Sequence, residues 1–258
     1  MSITSSDAKI AVEFRDVSFE INHRLLVSKL NLQINQGEAL ILLGRSGSGK
    51  TTTLKLINHL LKPTQGEVCV QSLSTNDWDV IKLRRSIGYV IQETGLFPHF
   101  NVAENIGIVP SLEKWPSKKI KIRVHEMLDL VGLEPTKFAE RYPHQLSGGQ
   151  KQRIGVARAL AADPPILLMD EPFGALDPIT RLELQQQFQY LQRQLGKTVI
   201  FVTHDIQEAF FLASRIGLMH EGNLVALGTK REFIQSQHAE AKAFLACLTA
   251  AHHWEHNN

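Results

Sequence analysis

Residues 39–51 of the chain read ALILLGRSGSGKT, an apolar run that passes directly into a glycine-rich loop. Ala39–Leu43 is short and continuously apolar, which is typical of a strand buried on both faces of a parallel sheet. Gly44–Thr51 satisfies the pattern G-x-x-x-x-G-K-[ST], and residues 52–61 follow with helical periodicity. A buried strand, a glycine-rich turn and a helix in this order predict an α/β fold with a phosphate-binding loop.

The loop carries the groups that hold a nucleoside triphosphate. Its glycines allow backbone N–H groups to turn inward around an anion, and the N-terminus of the following helix adds roughly half a positive charge. Lys50 can reach the outer phosphates, and the Thr51 hydroxyl can ligate Mg²⁺. We therefore predict a nucleotide site formed by Gly44, Arg45, Ser46, Gly47, Ser48, Gly49, Lys50, Thr51 and Thr52.

Two further apolar runs end in polar residues: Pro165–Met169 precedes Asp170, and Thr198–Val202 precedes Thr203. Ligands of open parallel sheets bind at the carboxyl ends of the strands, so we expect these ends to converge with the glycine-rich loop on one site. Asp170 and Glu171 place two carboxylates there. Asp170 is the candidate Mg²⁺ ligand, and Glu171 is the candidate general base for an attacking water.

The middle of the chain has helical periodicity. Apolar positions keep helical spacing from Ser117 to Gly132, with Ser117 as the predicted N-cap. Little in residues 93–147 resembles a buried strand, so we predict a mainly helical insertion there. A second helix is predicted over residues 178–195, with Asp177 as its N-cap.

The composition excludes several classes of protein. Of the 258 residues, 43% are apolar and 21% are charged, which is ordinary for a folded domain and unlike a disordered chain. The formal charge of +2 is too small to indicate a nucleic-acid partner. Cys69 and Cys247 are far apart in the sequence and predict a reducing compartment. No apolar run approaches the ~20 residues of a membrane helix, and residues 1–9 lack the apolar core of a signal peptide, so we expect a cytoplasmic protein.

Residues 146–150 read LSGGQ and precede a basic helical run. Ser147 is a natural N-cap, so its hydroxyl and the following N–H groups would form a second anion site. This pentapeptide resembles the signature of the ATP-binding cassette (ABC) ATPases, and it lies upstream of the acidic pair as it does in that family. The signature residues are Ser147, Gly148, Gly149 and Gln150.

The other elements of the family are present in order. Gln92 resembles the Q-loop glutamine, residues 175–177 (ALD) resemble the D-loop with its Asp177, and His204 resembles the switch histidine that contacts the γ-phosphate. The resemblance covers residues 12–233. It implies a P-loop NTPase (RecA-like) core with a mostly parallel sheet, an antiparallel β region near the N-terminus and a helical subdomain that carries the signature. It also implies ATP and Mg²⁺ as ligands, with Glu171, His204 and Gln92 as catalytic residues and Thr51, Gln92 and Asp170 as metal ligands.

The resemblance further implies how such a chain assembles. Two cassettes pair head to tail, and each ATP lies between the Lys50 loop of one copy and the Ser147 helix end of the other. The implied partners are a second ATPase subunit, expected to be a second copy of this chain, membrane-spanning permease subunits and, indirectly, a substrate-binding protein. The chain would then be peripheral on the inner face of the cell membrane. We expect one ABC ATPase domain, with its core in residues 10–92 and 162–230, the helical subdomain in 93–161 and a tail in 231–258.

Two positions depart from the pattern of the family. The family has an aromatic residue near the start of the chain that stacks on adenine, whereas this sequence has Ile21, with Phe19 two residues earlier. A strand would place both side chains on one face, so we expect either Phe19 or no residue to stack on adenine. Arg45 lies where many relatives have proline. Because that position needs only a backbone turn, we expect the arginine to have little consequence.

Three segments extend the resemblance to one subfamily. Residues 87–99, 141–144 (RYPH) and 171–180 (EPFGALDPIT) are similar to importers of quaternary amines and osmoprotectants. This similarity implies import of glycine betaine, choline or carnitine. Several members of that subfamily carry a pair of CBS domains after the ATPase. Since this chain ends at Asn258, we expect no regulation through such domains.

Three other functions fit part of the same pattern. The ATPase subunit of another ABC transporter, for amino acids or lipids, would share every catalytic residue and differ only in its partner. A soluble ABC ATPase that acts on ribosomes or DNA is a second alternative, but such proteins usually carry two cassettes, a zinc insertion or long coiled coils. A nucleotide-binding scaffold without turnover is the third, and the presence of Glu171, Gln92 and His204 argues against it.

Overall fold

The computed structural model describes residues 9–92, 95–174 and 176–256. The chain divides into two compact units, the first formed by Met1–Leu83 with Thr198–Asn258 and the second by Arg84–Lys197. Ala175 of the predicted D-loop lies outside the described residues. Residues 1–8, which belong to the N-terminal segment predicted not to be a signal peptide, also lie outside them. The predicted limits of the helical subdomain, residues 93–161, remain a prediction.

Strands and helices alternate along most of the chain. The strands are β1 (Ile10–Ile21), β2 (Arg24–Asn35), β3 (Ala39–Leu43), β4 (Gln65–Val70), β5 (Leu73–Ser74), β6 (Ile87–Val90), β7 (Ile166–Asp170), β8 (Thr198–Thr203), β9 (Arg215–His220) and β10 (Asn223–Gly228). The helices are α1 (Lys50–Ile57), α2 (Val80–Arg85), α3 (Val102–Leu112), α4 (Ser117–Leu130), α5 (Pro135–Phe138), α6 (Gly148–Leu160), α7 (Pro178–Leu195), α8 (Ile206–Leu212), α9 (Lys230–Ile234) and α10 (Ala239–His256). A short 3₁₀ turn spans Pro143–Gln145.

The predicted buried strand lies inside the sheet of the first unit. All five residues of β3 are buried, and β3 pairs in parallel with β8 on one side and β9 on the other. The antiparallel strand β10 continues the sheet beyond β9. In the pairing of β3 with β8, Leu43 lies opposite Thr203. The residues that follow these two strands therefore begin at the same edge of the sheet, as the sequence predicted for this pair.

The N-terminal strands of the first unit form a separate antiparallel sheet in the order β2-β1-β4-β5. Strand β1 is irregular, since its register shifts at several points and Asp16 has a left-handed backbone with φ of 51°. The Asp16 N–H donates to the Asn31 side-chain oxygen over 2.9 Å. This sheet is the predicted antiparallel region, and its irregularity decides which side chains near Ile21 are accessible.

The second unit combines a pair of parallel strands with helices. Strand β6 pairs with β7, with Ile87 opposite Ile166, and every residue of β7 is buried. Helices α3, α4 and α5 occupy residues 102–138, as the predicted helical insertion requires. Helix α7 spans the predicted residues, and the Asp177 carboxylate accepts a hydrogen bond from the Thr180 N–H as its N-cap. Among the helices of the described residues, none is long and apolar enough to cross a membrane.

Two predicted helix ends were wrong. Pro116 takes the N-cap position of α4 with an extended backbone, and Ser117 is the first helical residue. Proline is compatible with that position because its fixed φ, here −56°, fits the approach to a helix and its missing N–H removes no hydrogen bond of the helix. The helix after the glycine-rich loop ends at Ile57 instead of residue 61, since His59 adopts a left-handed backbone with φ of 54°.

Candidate active site

The glycine-rich loop connects β3 to α1 and is shaped by close backbone contacts. Gly49 has φ of 101° and caps the helix, and a Cβ at this position would lie 2.4 Å from the Leu26 carbonyl oxygen. A Cβ at Gly44 would lie 2.3 Å from the Met219 carbonyl oxygen. Because real Cβ atoms do not approach backbone so closely, both positions require glycine. The first unit therefore forces the loop into a turn that exposes its N–H groups.

Lys50 is bound to the loop that precedes it. Its side chain is buried, and Nζ donates to the carbonyl oxygens of Gly44 and Arg45, each over 2.8 Å. Within the described part of the chain the buried Ser48 hydroxyl has no hydrogen-bond partner. Thr51 and Thr52 lie half-buried in the first turn of α1. A lysine ammonium and a hydroxyl without a protein partner in one loop fit a phosphate group.

Arg45 has a contact that the sequence did not indicate. Its guanidinium Nε lies 2.5 Å from Glu240 Oε1, and its Nη2 lies 3.4 Å from Glu240 Oε2. Glu240 belongs to the first turn of α10, which also lies in the first unit. The loop position that was expected to need only a backbone turn is thus linked to the C-terminal helix.

His204 follows directly after β8 and is exposed. The Thr203 hydroxyl before it donates to the buried Glu208 carboxylate over 2.6 Å and accepts from the Asp205 N–H over 2.9 Å. Asp205 in turn caps α8, since its carboxylate accepts from the Gln207 N–H over 2.7 Å. These contacts fix the backbone on both sides of the histidine. Glu208 was not identified from the sequence, because nothing in its spacing distinguishes it from an exposed helix residue.

The acidic pair lies at the carboxyl end of β7 in the second unit. Asp170 is buried, and its Oδ2 lies 3.5 Å from the hydroxyl of Tyr89 on the neighbouring strand. Burial and the Asp170 carboxylate together raise the pKa of Tyr89, so the phenol stays protonated and points a donor at the acid. Glu171 has a left-handed backbone with φ of 44°, and its Oε2 lies 3.5 Å from the Gln92 side-chain nitrogen. A left-handed backbone at a non-glycine residue costs energy and often marks a functional position.

The LSGGQ residues form the N-terminus of α6 in the second unit. Ser147 is the N-cap as predicted, and it exchanges hydrogen bonds with Gln150: the Gln150 N–H donates to the serine hydroxyl and the Ser147 N–H donates to the glutamine side chain. Within the described part of the chain, a Cβ on Gly148 would meet no other element within 4 Å, whereas one on Gly149 would lie 2.7 Å from Thr180 Cγ2. Gly149 is therefore required for packing against α7. Gly148 faces open space, so the packing of this chain does not explain why it is a glycine.

Asp177 of the predicted D-loop is exposed, and its carboxylate serves as the N-cap of α7. Hydrogen bonds from Thr180 lower the pKa of Asp177. The carboxylate is thus held in its ionised form at the start of the helix. This local contact is the one that the sequence predicted for Asp177.

The structure shows how accessible Phe19 and the aligned position Ile21 are. Phe19 is buried, with 7% of its surface exposed, whereas Ile21 is 49% exposed. The expected alternation fails here because the register of β1 against β2 shifts between Phe19 and Glu20. Phe19 therefore packs in the core of the first unit and does not offer its ring to a nucleotide. Of the two, only Ile21 is accessible.

The predicted site residues fall into two groups. The first unit holds the glycine-rich loop and His204, and the second unit holds Gln92, the acidic pair, the signature residues and Asp177. Comparison with known proteins identifies the family that has these groups in this order. The model of the protein family described as "ABC transporter" matches residues 27–174, which is more than half of the chain. The chain belongs to the ABC transporter family.

Individual relatives agree with this membership and confirm the predicted resemblance. The glycine betaine/carnitine/choline transport ATP-binding protein OpuCA of Bacillus subtilis is 52% identical over 210 residues, which are 81% of this chain and 55% of that protein. The glycine betaine uptake system ATP-binding protein YehX of Escherichia coli is 52% identical over 217 residues, which are 84% of this chain and 70% of that protein. The chain thus spans about half the length of OpuCA.

A solved structure confirms the predicted fold class. A dimeric ATP-binding cassette in a post-hydrolysis state, bound to ADP and phosphate, is 38% identical to this chain and superimposes with a TM-score of 0.76. The match covers 84% of this chain and 98% of the solved one. The α/β core, the antiparallel N-terminal sheet and the helical segment with LSGGQ are therefore the architecture of an ABC transporter cassette.

Proposed function

We propose that this chain is the ATP-hydrolysing, nucleotide-binding subunit of an ABC importer for quaternary amine osmoprotectants such as glycine betaine, choline or carnitine. The observation that carries the proposal is the loop of the first unit. It brings together the Lys50 ammonium, the helix α1 N-terminus and a Ser48 hydroxyl that has no partner among the described residues, which are groups that suit a phosphate. Identity of 52% to relatives named for glycine betaine, carnitine and choline supports the substrate class.

The residues that the family resemblance assigns to the nucleotide and the metal are of types that fit ATP and Mg²⁺. Thr51 offers a hydroxyl, Gln92 an amide oxygen and Asp170 a buried carboxylate, which are the oxygen ligands that Mg²⁺ prefers. Mg²⁺, when bound, neutralises charge on the phosphates. Lys50 would bind the outer phosphate oxygens, together with the N–H groups of residues 44–52. Each group acts where negative charge increases as the terminal phosphate is transferred.

Glu171 and His204 would carry out the hydrolytic step. The Glu171 carboxylate accepts a proton from the attacking water, whose oxygen forms the new bond to the γ-phosphorus as the bond to the β,γ-bridging oxygen breaks. Gln92, 3.5 Å from Glu171, orients this carboxylate and the water. His204 donates a hydrogen bond to the γ-phosphate from its fixed position after β8.

We infer that the complete site needs a second copy of the chain. The N-terminus of α6 presents Ser147 and Gly148 at the surface, with open space where a side chain at position 148 would lie. A helix N-terminus with exposed N–H groups stabilises an anion. The γ-phosphate held by the Lys50 loop of the partner copy would be that anion, and Gly148 permits its close approach.

A cavity in the second unit suits the permease. Its volume is about 340 Å³, and its lining includes Tyr89, Gly95, Phe97, Leu112 and Arg158. The Arg158 guanidinium donates to the Gly95 carbonyl oxygen over 2.7 Å, and burial lowers the pKa of this arginine. The cavity adjoins the segment after Gln92, which the family resemblance assigns to contact with the membrane-spanning subunits. A short apolar helix of a permease would fit it.

Asn105 holds the wall of this cavity in place. Its buried side chain accepts from the Phe97 N–H over 2.8 Å and donates to the carbonyl oxygens of Phe97, Phe100 and Asn101. These bonds attach residues 97–101 to α3. The chain, associated with permease subunits in this way, would be peripheral on the cytoplasmic face of the membrane.

Uptake of labelled substrate tests the proposed function. Cells of the source organism that lack this chain should lose uptake of glycine betaine, choline or carnitine, and the wild-type chain should restore it. The Lys50→Ala variant should restore less than about 1% of that uptake, because phosphate binding and transition-state charge stabilisation are both lost. Lys242→Ala, an exposed change on α10, is the matched control. Loss of amino-acid or lipid transport, with quaternary amine uptake intact, would support the alternative transporters instead.

A further inference from the structure

The phosphate loop is attached to the C-terminal helix through one charged pair. The Arg45 guanidinium approaches the Glu240 carboxylate with both Nε and Nη2, at 2.5 and 3.4 Å. The Glu240 side chain is only 10% exposed, whereas the Arg45 side chain is 68% exposed. The arginine therefore extends from the loop across the surface to a carboxylate that is itself held in a packed position. Two-point contact of this kind fixes orientation as well as distance.

Glu240 is supported by its own surroundings. The Glu240 N–H donates to His238 Nδ1 over 3.2 Å at the start of α10, and His220 Nδ1 lies 3.9 Å from Glu240 Oε2. His220 is the last residue of β9, the strand whose Met219 carbonyl oxygen fills the space beside Gly44. The backbone at Glu240 is thus held at the start of the helix, and its carboxylate lies close to the strand that contacts the loop.

The backbone of the paired arginine contacts the lysine of the phosphate loop. The Arg45 carbonyl oxygen accepts a hydrogen bond from Lys50 Nζ over 2.8 Å. At the other end of the loop, the Gly222 N–H of the β9–β10 turn donates to the Ser48 carbonyl oxygen over 3.1 Å. Between these two points Ser46 and Gly47 are exposed. Within the described part of the chain, the Arg45 side chain links this stretch to α10. The Arg45–Glu240 pair is therefore the attachment of this part of the loop.

We propose that Glu240 is a positioning residue for the phosphate loop: through Arg45 it fixes the backbone carbonyl that holds Lys50 Nζ. This inference rests on the proposed ATP binding. It assigns to α10 a direct influence on nucleotide affinity, because a loop held in its binding conformation loses less conformational freedom when the phosphates bind. Glu240 itself touches neither nucleotide nor water in the reaction.

A double-mutant cycle on the purified full-length chain tests this role, with the dissociation constant for ATP-Mg²⁺ as the readout. Glu240→Ala should weaken binding about five-fold, the size expected for losing a well-oriented ion pair at a protein surface. In the Arg45→Ala background the same change should weaken binding by no more than about 1.5-fold, because the pair is already broken. The turnover number at saturating ATP should change less than about two-fold, since the residues that perform the reaction remain.

The controls separate positioning from charge and from folding. Lys242→Ala, on the same helix, should bind ATP like the wild type. Arg45→Lys retains the positive charge but loses the forked contact, and it should weaken binding about two- to three-fold; it also provides the test if Glu240→Ala does not fold. Equal effects of Glu240→Ala in both backgrounds, unchanged affinity in Glu240→Ala, or wild-type affinity in Arg45→Lys would overturn the inference. A wild-type chain that binds no ATP would instead refute the proposed function on which the inference rests.

Discussion

Glu171→Gln is expected to reduce ATP turnover at least about 100-fold, the effect of removing a general base. Glutamine has the shape of glutamate but cannot accept the proton of the attacking water. Nucleotide binding should persist, since the phosphate loop lies in the first unit and is unchanged. With ATP bound and not hydrolysed, the paired state should accumulate. Phosphate release and light scattering with saturating ATP-Mg²⁺ measure the two effects.

A matched variant shows whether the effect belongs to this position. Glu183→Gln changes a glutamate of the same unit whose side chain is 59% exposed and which pairs with Arg153. This variant should hydrolyse ATP at the wild-type rate and should not accumulate as a dimer. Wild-type turnover in Glu171→Gln would refute the proposed base. A Glu171→Gln chain that stays monomeric with saturating ATP-Mg²⁺ would refute the paired site.

Gly148→Asp is expected to lower turnover strongly while leaving the fold and the ATP affinity of the single chain intact. Among the described residues, no atom of another element lies within 4 Å of a Cβ at position 148, so the folded chain has room for a side chain there. An acidic residue in the first turn of α6 is also favourable for the helix itself. In the paired state, however, the new carboxylate would face the γ-phosphate of the partner copy. Repulsion between this carboxylate and the phosphate should lower turnover at least about 100-fold, a loss of roughly 2.7 kcal/mol in transition-state stabilisation.

The comparison with two other substitutions makes this result specific. Thr136→Asp adds the same charge to an exposed position of α5 in the same unit and should leave turnover unchanged. Gly149→Asp should instead destabilise the fold, because a Cβ there lies 2.7 Å from Thr180 Cγ2. Thermal unfolding, ATP titration and phosphate release separate the three cases. Wild-type turnover in Gly148→Asp would show that the α6 N-terminus does not act on a partner's nucleotide.

Local sequence signals account for the parts of the fold that were predicted correctly. Strands β3 and β8 are continuous apolar runs with polar ends, and α7 has both a periodic apolar face and an Asp-Pro start. Such signals lie within a few neighbouring residues. The errors came from positions where two signals competed. Pro116 and Ser117 can both precede a helix, and the proline took the N-cap position.

In the candidate site, the residues of local motifs were predicted from the sequence, whereas contacts between distant residues were not. The phosphate loop, the acidic pair and the signature are contiguous motifs, so their residues were identified from the sequence. Arg45 and Glu240 are 195 residues apart, and the pair leaves no periodic or spacing signal in the sequence. The accessibility of Phe19 and Ile21 was also unpredictable, because a register shift in β1 breaks the alternation on which the prediction relied. Both the Arg45–Glu240 pair and the accessibility of Phe19 and Ile21 depend on contacts between different helices, strands and loops.

Affinity purification of this chain from detergent-solubilised native membranes tests the central claim most directly. The chain is tagged, and mass spectrometry identifies the proteins that co-purify. We expect a polytopic permease to co-purify. A second copy of the chain should also co-purify, and it can be detected when an untagged version is present in the same cells. Glycine betaine, choline and carnitine can then be titrated against ATP turnover of the purified complex. A ribosomal or DNA-repair partner without any membrane protein would contradict the account and leave an ATPase with a different task.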